Sequence, residues 1–362
     1  MIVVGAGAAG ATAAALLAQS GHPVCVVDRR EFAGGPPQPA WLNADALGML
    51  KTLNIKPDAI GAEPITQLTF VKADASGHRD VTFKKPRAYV IDRTALGAAL
   101  VAAAGAAGAV VRRGADVVDA AALEDHVTVT LADAPALEAK LVLGADGVES
   151  LVAERLSRSG SAGRRAGGWC CQMPLAGAGE GPPITLILGV ESARAFGYVL
   201  RSGAGAGVGL AGIAEQATLA PLLERMLTRL RDAGLLNGRP AVDPDTLDTW
   251  RSPAGAALEY DGHVAKRALL IGNAGGFVAS VSHEAIWPAM WSAKIATAVL
   301  RRALTADNAQ DELIRFDAQW RTTLADYLRM PNTDMQFLMP LIFSNQQIAD
   351  RMATAFLTGE NI

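Results

Sequence analysis

The chain has 362 residues, half of them apolar, with 33 basic and 36 acidic side chains and a formal net charge of −3. That length exceeds one ordinary core, so a large α/β domain carrying a second, smaller layer is expected. The balanced charge gives no electrostatic case for nucleic acid or an anionic membrane surface. Cys25 and the adjacent pair Cys170–Cys171 are the only cysteines, which argues against a disulfide framework and suits a reducing cytoplasm.

Residues 1–4 read as a buried strand and 5–10 as a glycine-rich turn opening a helix. Residues 24–28 form a second strand, so the chain starts with a βαβ unit. The first 19 residues are apolar enough to resemble a leader, but no Lys or Arg precedes Arg29. Residues 31–39 are rich in Gly and Pro and read as a loop, with a helix over 44–53. Strands at 65–73 and 80–83, a long Ala-rich helix over 92–108 and strands at 109–112, 127–131 and 139–144 follow. The Ser, Gly and Arg of 157–168 mark a linker. Beyond it come strands at 183–188, 195–200, 206–211 and 268–271 and helices over 219–233 and 285–304. A helical tail is broken by Pro331 and Pro340. No apolar run is hydrophobic enough for a membrane span.

Gly5, Gly7 and Gly10 have the spacing of a pyrophosphate-binding turn. The first permits the sharp turn, the second lets phosphate reach the backbone, and the third lets helix and strand pack closely. Asp28 ends the second strand, where an acid accepts hydrogen bonds from an adenosine ribose. This arrangement predicts dinucleotide binding without separating NAD from FAD.

Two later segments carry a family resemblance. Leu143-Gly144-Ala145-Asp146-Gly147-Val148-Glu149-Ser150 resembles the GADG segment of the para-hydroxybenzoate hydroxylase superfamily. Ala268 to Val278, with Gly272-Asn273 at its centre, resembles that superfamily's GD segment. It is most similar to the geranylgeranyl reductase branch, which reads GDAAGFV and continues through GEGI into a helix. Here the continuation is His283-Glu284-Ala285-Ile286-Trp287. Phe196-Gly197-Tyr198 and Gly207-Val208-Gly209 resemble a degraded substrate segment of the same reductases. Arg93 matches a basic residue the family has at the start of a helix.

The resemblance implies an α/β fold: a Rossmann-type FAD-binding domain with an inserted antiparallel substrate sheet and a helical C-terminus. It implies a discontinuous FAD-binding domain of residues 1–62, 88–156 and 262–304, a substrate domain of 63–87 and 157–261, and a C-terminal extension of 305–362. The FAD contacts it implies are Gly5, Gly7, Ala8, Ala9 and Gly10 at the pyrophosphate, Asp28 and Arg29 at the adenosine end, and Arg93, Asp146 and Gly147 nearby. Gly272 and Asn273 would approach the ribityl chain. Ala285 and Ile286 would begin a helix whose positive end faces the flavin N1–C2=O edge. Asn273 stands where the family has Asp, and His283-Glu284-Ala285 replaces Gly-Glu-Gly.

His283 reads as a proton donor or substrate contact, or as a hydrogen-bonded loop residue. Tyr198 and Trp287 read as substrate-pocket residues or core. His22, His78, His126 and His263 read as surface residues. No Cys/His cluster has metal-ligand spacing. With no second dinucleotide fingerprint, NAD(P)H would bind only transiently as reductant. The expected activity is FAD-dependent oxidation–reduction of a small apolar or aromatic molecule, foremost as a single-component monooxygenase. An ene-type reductase or dehydrogenase and a non-catalytic binding module are the alternatives. Oligomeric state is not legible.

Overall fold

Short runs of β-branched and aliphatic residues build the nucleotide-binding sheet. Its strands lie in the order Val264–Ala265, Ala268–Leu270, Val142–Gly144, Ile2–Val4, Cys25–Asp28, Val110–Arg113. All neighbours run parallel except the edge hairpin Val264–Ala265 with Ala268–Leu270. Strands from three distant stretches thus share one sheet, with the strand order reversing beside Ile2–Val4. In such sheets the ligand crevice opens at the carboxyl ends of the strands flanking that reversal. The computed structural model describes residues 1–31, 38–157, 167–176, 180–237, 242–243, 245–330 and 335–360. Most of the expected 31–39 loop and 157–168 linker, and Pro331, lie outside the described residues.

One face of the sheet is covered by the helices Ala8–Gln19, Arg93–Ala106 and Ile286–Ala303, with Arg315–Leu328 packed behind them. The first helix is mostly alanine and buried nearly all round, because small side chains let it sit tightly between sheet and neighbouring helices. On the other face a three-stranded antiparallel sheet turns Val127, Val129 and Leu131 inward, the period-two pattern of a half-buried strand.

The second large sheet has seven strands: Asp248–Arg251, Trp169–Pro174, Gly205–Ile213, Phe196–Ser202, Ile184–Leu188, Gln67–Lys72 and His78–Thr82. Only Ile184–Leu188 and Gln67–Lys72 pair in parallel. The helix Leu219–Asp232 covers one face with Leu219, Leu222, Leu223, Met226, Leu227 and Leu230, spaced as one helical stripe. The helices Met335–Ser344 and Gln346–Thr358 cover the other. The C-terminal extension therefore divides between both layers, burying Phe316 and Trp320 against the first and Phe356 and Leu357 against the second.

Several strands escape the sequence reading. Pro39–Asn43, Ala88–Asp92 and Glu63–Ile65 form a small antiparallel sheet joining the two layers. Trp169–Pro174 and Asp248–Arg251 also lack an alternating pattern, since tertiary pairing rather than local propensity makes them strands. His263 is a correction: it is fully buried, ringed by Tyr260, Phe277, Phe316 and Trp320, with Nε2 2.8 Å from the Gly275 carbonyl oxygen. Among the described residues no helix is long and apolar enough to cross a membrane. None of their His, Cys, Asp and Glu groups is arranged to hold a metal ion.

Candidate active site

The three glycine segments meet in one place. Gly5 turns the first strand with φ +98°, and a Cβ there would stand 2.3 Å from the Ala145 carbonyl oxygen. A Cβ on Gly10 would lie 1.9 Å from the Gly5 carbonyl oxygen and 3.1 Å from the Ala145 Cβ. Only glycine fits at either position, and the opening turn is locked against the Ala145–Asp146 segment. Gly272, at φ +54°, closes the set: its Cβ would be 2.7 Å from that of Ala9. The Gly272 N–H donates to the buried Ser292 Oγ, 3.1 Å away, pinning the third segment to the long helix.

In contrast, a Cβ on Gly7 or Gly147 would meet nothing within 4 Å. Gly7 caps the first helix without any side-chain hydrogen bond. The helix therefore presents free N–H groups and its positive end to open space, the arrangement that cradles a pyrophosphate. Asp28 accepts from the Ala6 N–H at 2.7 Å and the Arg30 N–H at 2.8 Å. Burial raises its carboxyl pKa, but those backbone bonds and the Arg30 side chain outweigh burial and hold it below the ordinary value. It is thus an ionised acceptor at the strand end, where the long contacts from the Arg30 side chain at 3.3 and 3.5 Å are the ones a ribose hydroxyl would displace. Arg29 is exposed just beyond it. A dinucleotide fits these residues.

Other expected contacts are placed differently. The Asp146 backbone abuts Gly5, but its carboxylate turns to the Leu151–Leu156 helix, accepting from Ser150 Oγ at 2.5 Å and the Val152 N–H at 3.2 Å. Burial raises the Asp146 pKa, against those bonds. The Arg93 guanidinium is engaged by Gln38 and by Asp248 at 3.2 Å, and lies 5.4 Å from the Trp250 ring centroid. It clamps the small joining sheet to the second large one. Asn273 sits in the 3₁₀ turn Gly272–Gly275, half-buried.

The helix expected to begin near Ala285 and to face the flavin edge starts at Ile286, with Ala285 as its N-cap. Its first N–H groups are already in use. Glu284 Oε1 accepts from Ile286 at 2.7 Å and from Trp287 at 2.8 Å, while Oε2 accepts from the Tyr327 hydroxyl at 2.7 Å. The motif around Glu284 does not by itself assign that residue a role. An acid two residues ahead of a helix is the signal that points to it.

His283 adopts φ +55°, and its Nδ1 lies 2.8 Å from Ser252 Oγ and 3.7 Å from Cys170 Sγ. Burial pulls its pKa down to about 4, so the imidazole is neutral at neutral pH. Gly212 leaves room for the ring: a Cβ there would be 3.1 Å from Nε2. Tyr198 is buried among Trp41, Phe196 and Phe356, donating to Gln172 Oε1 at 3.0 Å. Trp287 lies in the other layer's core, with its ring 4.8 Å from Trp291. The two expected pocket residues therefore belong to different apolar clusters.

An uncapped helix end, glycines open to an anion and an ionised acid at the second strand's end are the features of a dinucleotide-binding fold. Residues 1–170 match the family described as FAD binding domain. A digeranylgeranylglycerophospholipid reductase from Methanoculleus marisnigri is 25% identical over 342 residues, covering 89% of this chain and 82% of that protein. The crystal structure of a geranylgeranyl bacteriochlorophyll reductase-like protein from Thermoplasma acidophilum superposes with TM-score 0.74 at 18% identity, covering 97% of this chain and 95% of that one. That of a probable FAD-dependent monooxygenase from Pseudomonas aeruginosa gives 0.66 at 16% identity, covering 96% and 97%. The chain is an FAD-dependent oxidoreductase with the para-hydroxybenzoate hydroxylase type of fold, and FAD is its cofactor.

Proposed function

We propose that the chain uses FAD to reduce a carbon–carbon double bond in a small, largely apolar organic substrate. The observation that carries the flavin part is the convergence of Gly5, Gly10, Ala145 and Gly272 around the open position of Gly7. Bound FAD supplies two-electron redox chemistry; the chain binds and orients it and keeps water away. Gly7, Ala8 and Ala9 hold the pyrophosphate with backbone N–H groups, Gly147 leaves it room, and Asp28 holds the adenosine ribose. Residues 1–62, 88–156 and 262–304 act as the FAD-binding unit.

Reduction stands ahead of hydroxylation because the relative aligned over 89% of the chain carries a reductase name. Hydroxylation is the second reading, supported by the monooxygenase with the same fold. Transient NAD(P)H fits either as electron donor.

Purified protein incubated with FAD, a reductant and a polyunsaturated apolar substrate separates the two readings. Under labelled dioxygen, reduction yields a product that has gained two hydrogens and no label, and it proceeds without oxygen. Label in the product establishes hydroxylation instead. A protein that takes up no FAD overturns both.

A further inference from the structure

The N-terminus of the Ile286–Ala303 helix holds a carboxylate from its own chain. Glu284 is 3% exposed, and both its oxygens accept short hydrogen bonds: Oε1 from the Ile286 and Trp287 N–H groups, Oε2 from Tyr327. No salt bridge to a cation reaches it among the described residues. Its charge rests on the helix dipole and one phenol, so charge and helix end are closely coupled.

A route to solvent lies behind the phenol. Tyr327 lines a cavity of about 20 Å³ together with Ser282, Arg329 and Glu360. That is room for one water molecule with polar neighbours. Glu360 also lines an open cleft of about 640 Å³ with Asn43, Asp45, Lys84 and Arg87. Asn43, which lines that cleft, donates to the Thr358 carbonyl oxygen at 3.2 Å and lies near the Tyr327 side chain.

We propose that Glu284 is a proton-exchanging positioning residue, taking a proton from the cleft by way of Tyr327 when reduction of the bound flavin brings negative charge to this helix end. The inference rests on the flavin reading above. Two electrons come from the reductant, one proton comes from solvent, and the carboxylate becomes a carboxylic acid. Protonation removes the like charge and loosens the hold of Oε1 on the two N–H groups, leaving them to face the flavin.

The neighbourhood agrees. Burial raises the Glu284 pKa to about 7, with the Trp287, Tyr327 and Ile286 bonds opposing it. The titratable groups facing it or its relay are Tyr327, Asp45, Glu360 and Arg329. Adjacent His283 turns instead to Ser252 and Cys170.

The test is a potential–pH titration of the FAD-loaded protein with dithionite, together with proton uptake counted in weak buffer. Wild type is expected to show a break near pH 7. On its alkaline side one more proton is taken up per two electrons than in Glu284→Gln, which lacks the break. Tyr327→Phe removes a donor to the carboxylate and moves the break to higher pH. Should the Gln variant fail to fold, wild type and Tyr327→Phe still decide. Equal proton counts in wild type and Glu284→Gln, or no wild-type break, overturn the inference while FAD binding stands. Failure to bind FAD overturns the flavin reading itself, and this inference with it.

Discussion

Gly272 lies so near Ala9 that a Cβ on the glycine would stand 2.7 Å from the alanine's own. Residues 263 positions apart in the chain are therefore packed so closely that the alanine's methyl fits only because position 272 carries none. This contact joins the last of the three glycine segments to the first, and the same close packing separates two kinds of glycine at the site.

Gly10→Ala and Gly7→Ala are expected to fail differently. The first drives a methyl into the Gly5 carbonyl and destabilises the fold by about 1–3 kcal/mol or more. The second enters open space at φ −69° and leaves the unfolding midpoint nearly unchanged. It crowds the pyrophosphate and weakens FAD binding by about tenfold or more, ~1.4 kcal/mol. Denaturant melts beside fluorescence titration with FAD distinguish the two, and equal melts for both variants contradict the packing argument.

Asp28→Ala strips the acceptor from the Ala6 and Arg30 N–H groups, at about 1–3 kcal/mol of stability, and lowers FAD affinity as well. Because the folded pKa lies below the unfolded one, this carboxylate's stabilisation is complete above the unfolded value. It fades as pH falls through the folded value. The difference in stability between wild type and variant should therefore shrink in acid, as read from urea melts across pH.

His283 has the other charge type and the same direction. Its folded pKa of about 4 lies below the ordinary 6.5, so unfolding takes up a proton between those values. Its contribution is complete above 6.5 and lost as pH falls toward 4. Asparagine tolerates the left-handed backbone, so His283→Asn should flatten the pH dependence of stability in that window. Full turnover in the same variant dismisses His283 as a proton donor.

Phe356, 6% exposed, packs against Trp41 and Phe196. Phe356→Ala is expected to cost about 3–5 kcal/mol while leaving FAD affinity near wild type, because the side chain belongs to the second layer. A large loss of FAD affinity in a folded variant shows instead that the layers are coupled through the tail.

The nucleotide layer was legible because its signals are local. Five strands and three helices carry their pattern in consecutive residues, and the glycines are required by backbone geometry within a few positions of one another. The joining strands Pro39–Asn43 and Ala88–Asp92 were not, since one begins beside a proline-rich stretch and neither alternates cleanly. His263 was misjudged for a related reason: polar residues signal a surface, and only its aromatic surroundings and the Gly275 carbonyl show that it is core.

Sequence by itself determined that a dinucleotide fold is present, where its turns must be glycine, and which acid ends the second strand. Tertiary structure alone decided what the long-range partners do. It turned Asp146 into a helix cap, gave Arg93 to Gln38 and Asp248, and set Glu284 at a helix end beside Tyr327. A turn is specified by torsions within a few residues, whereas the charge and reach of a buried side chain depend on groups that only folding brings near it.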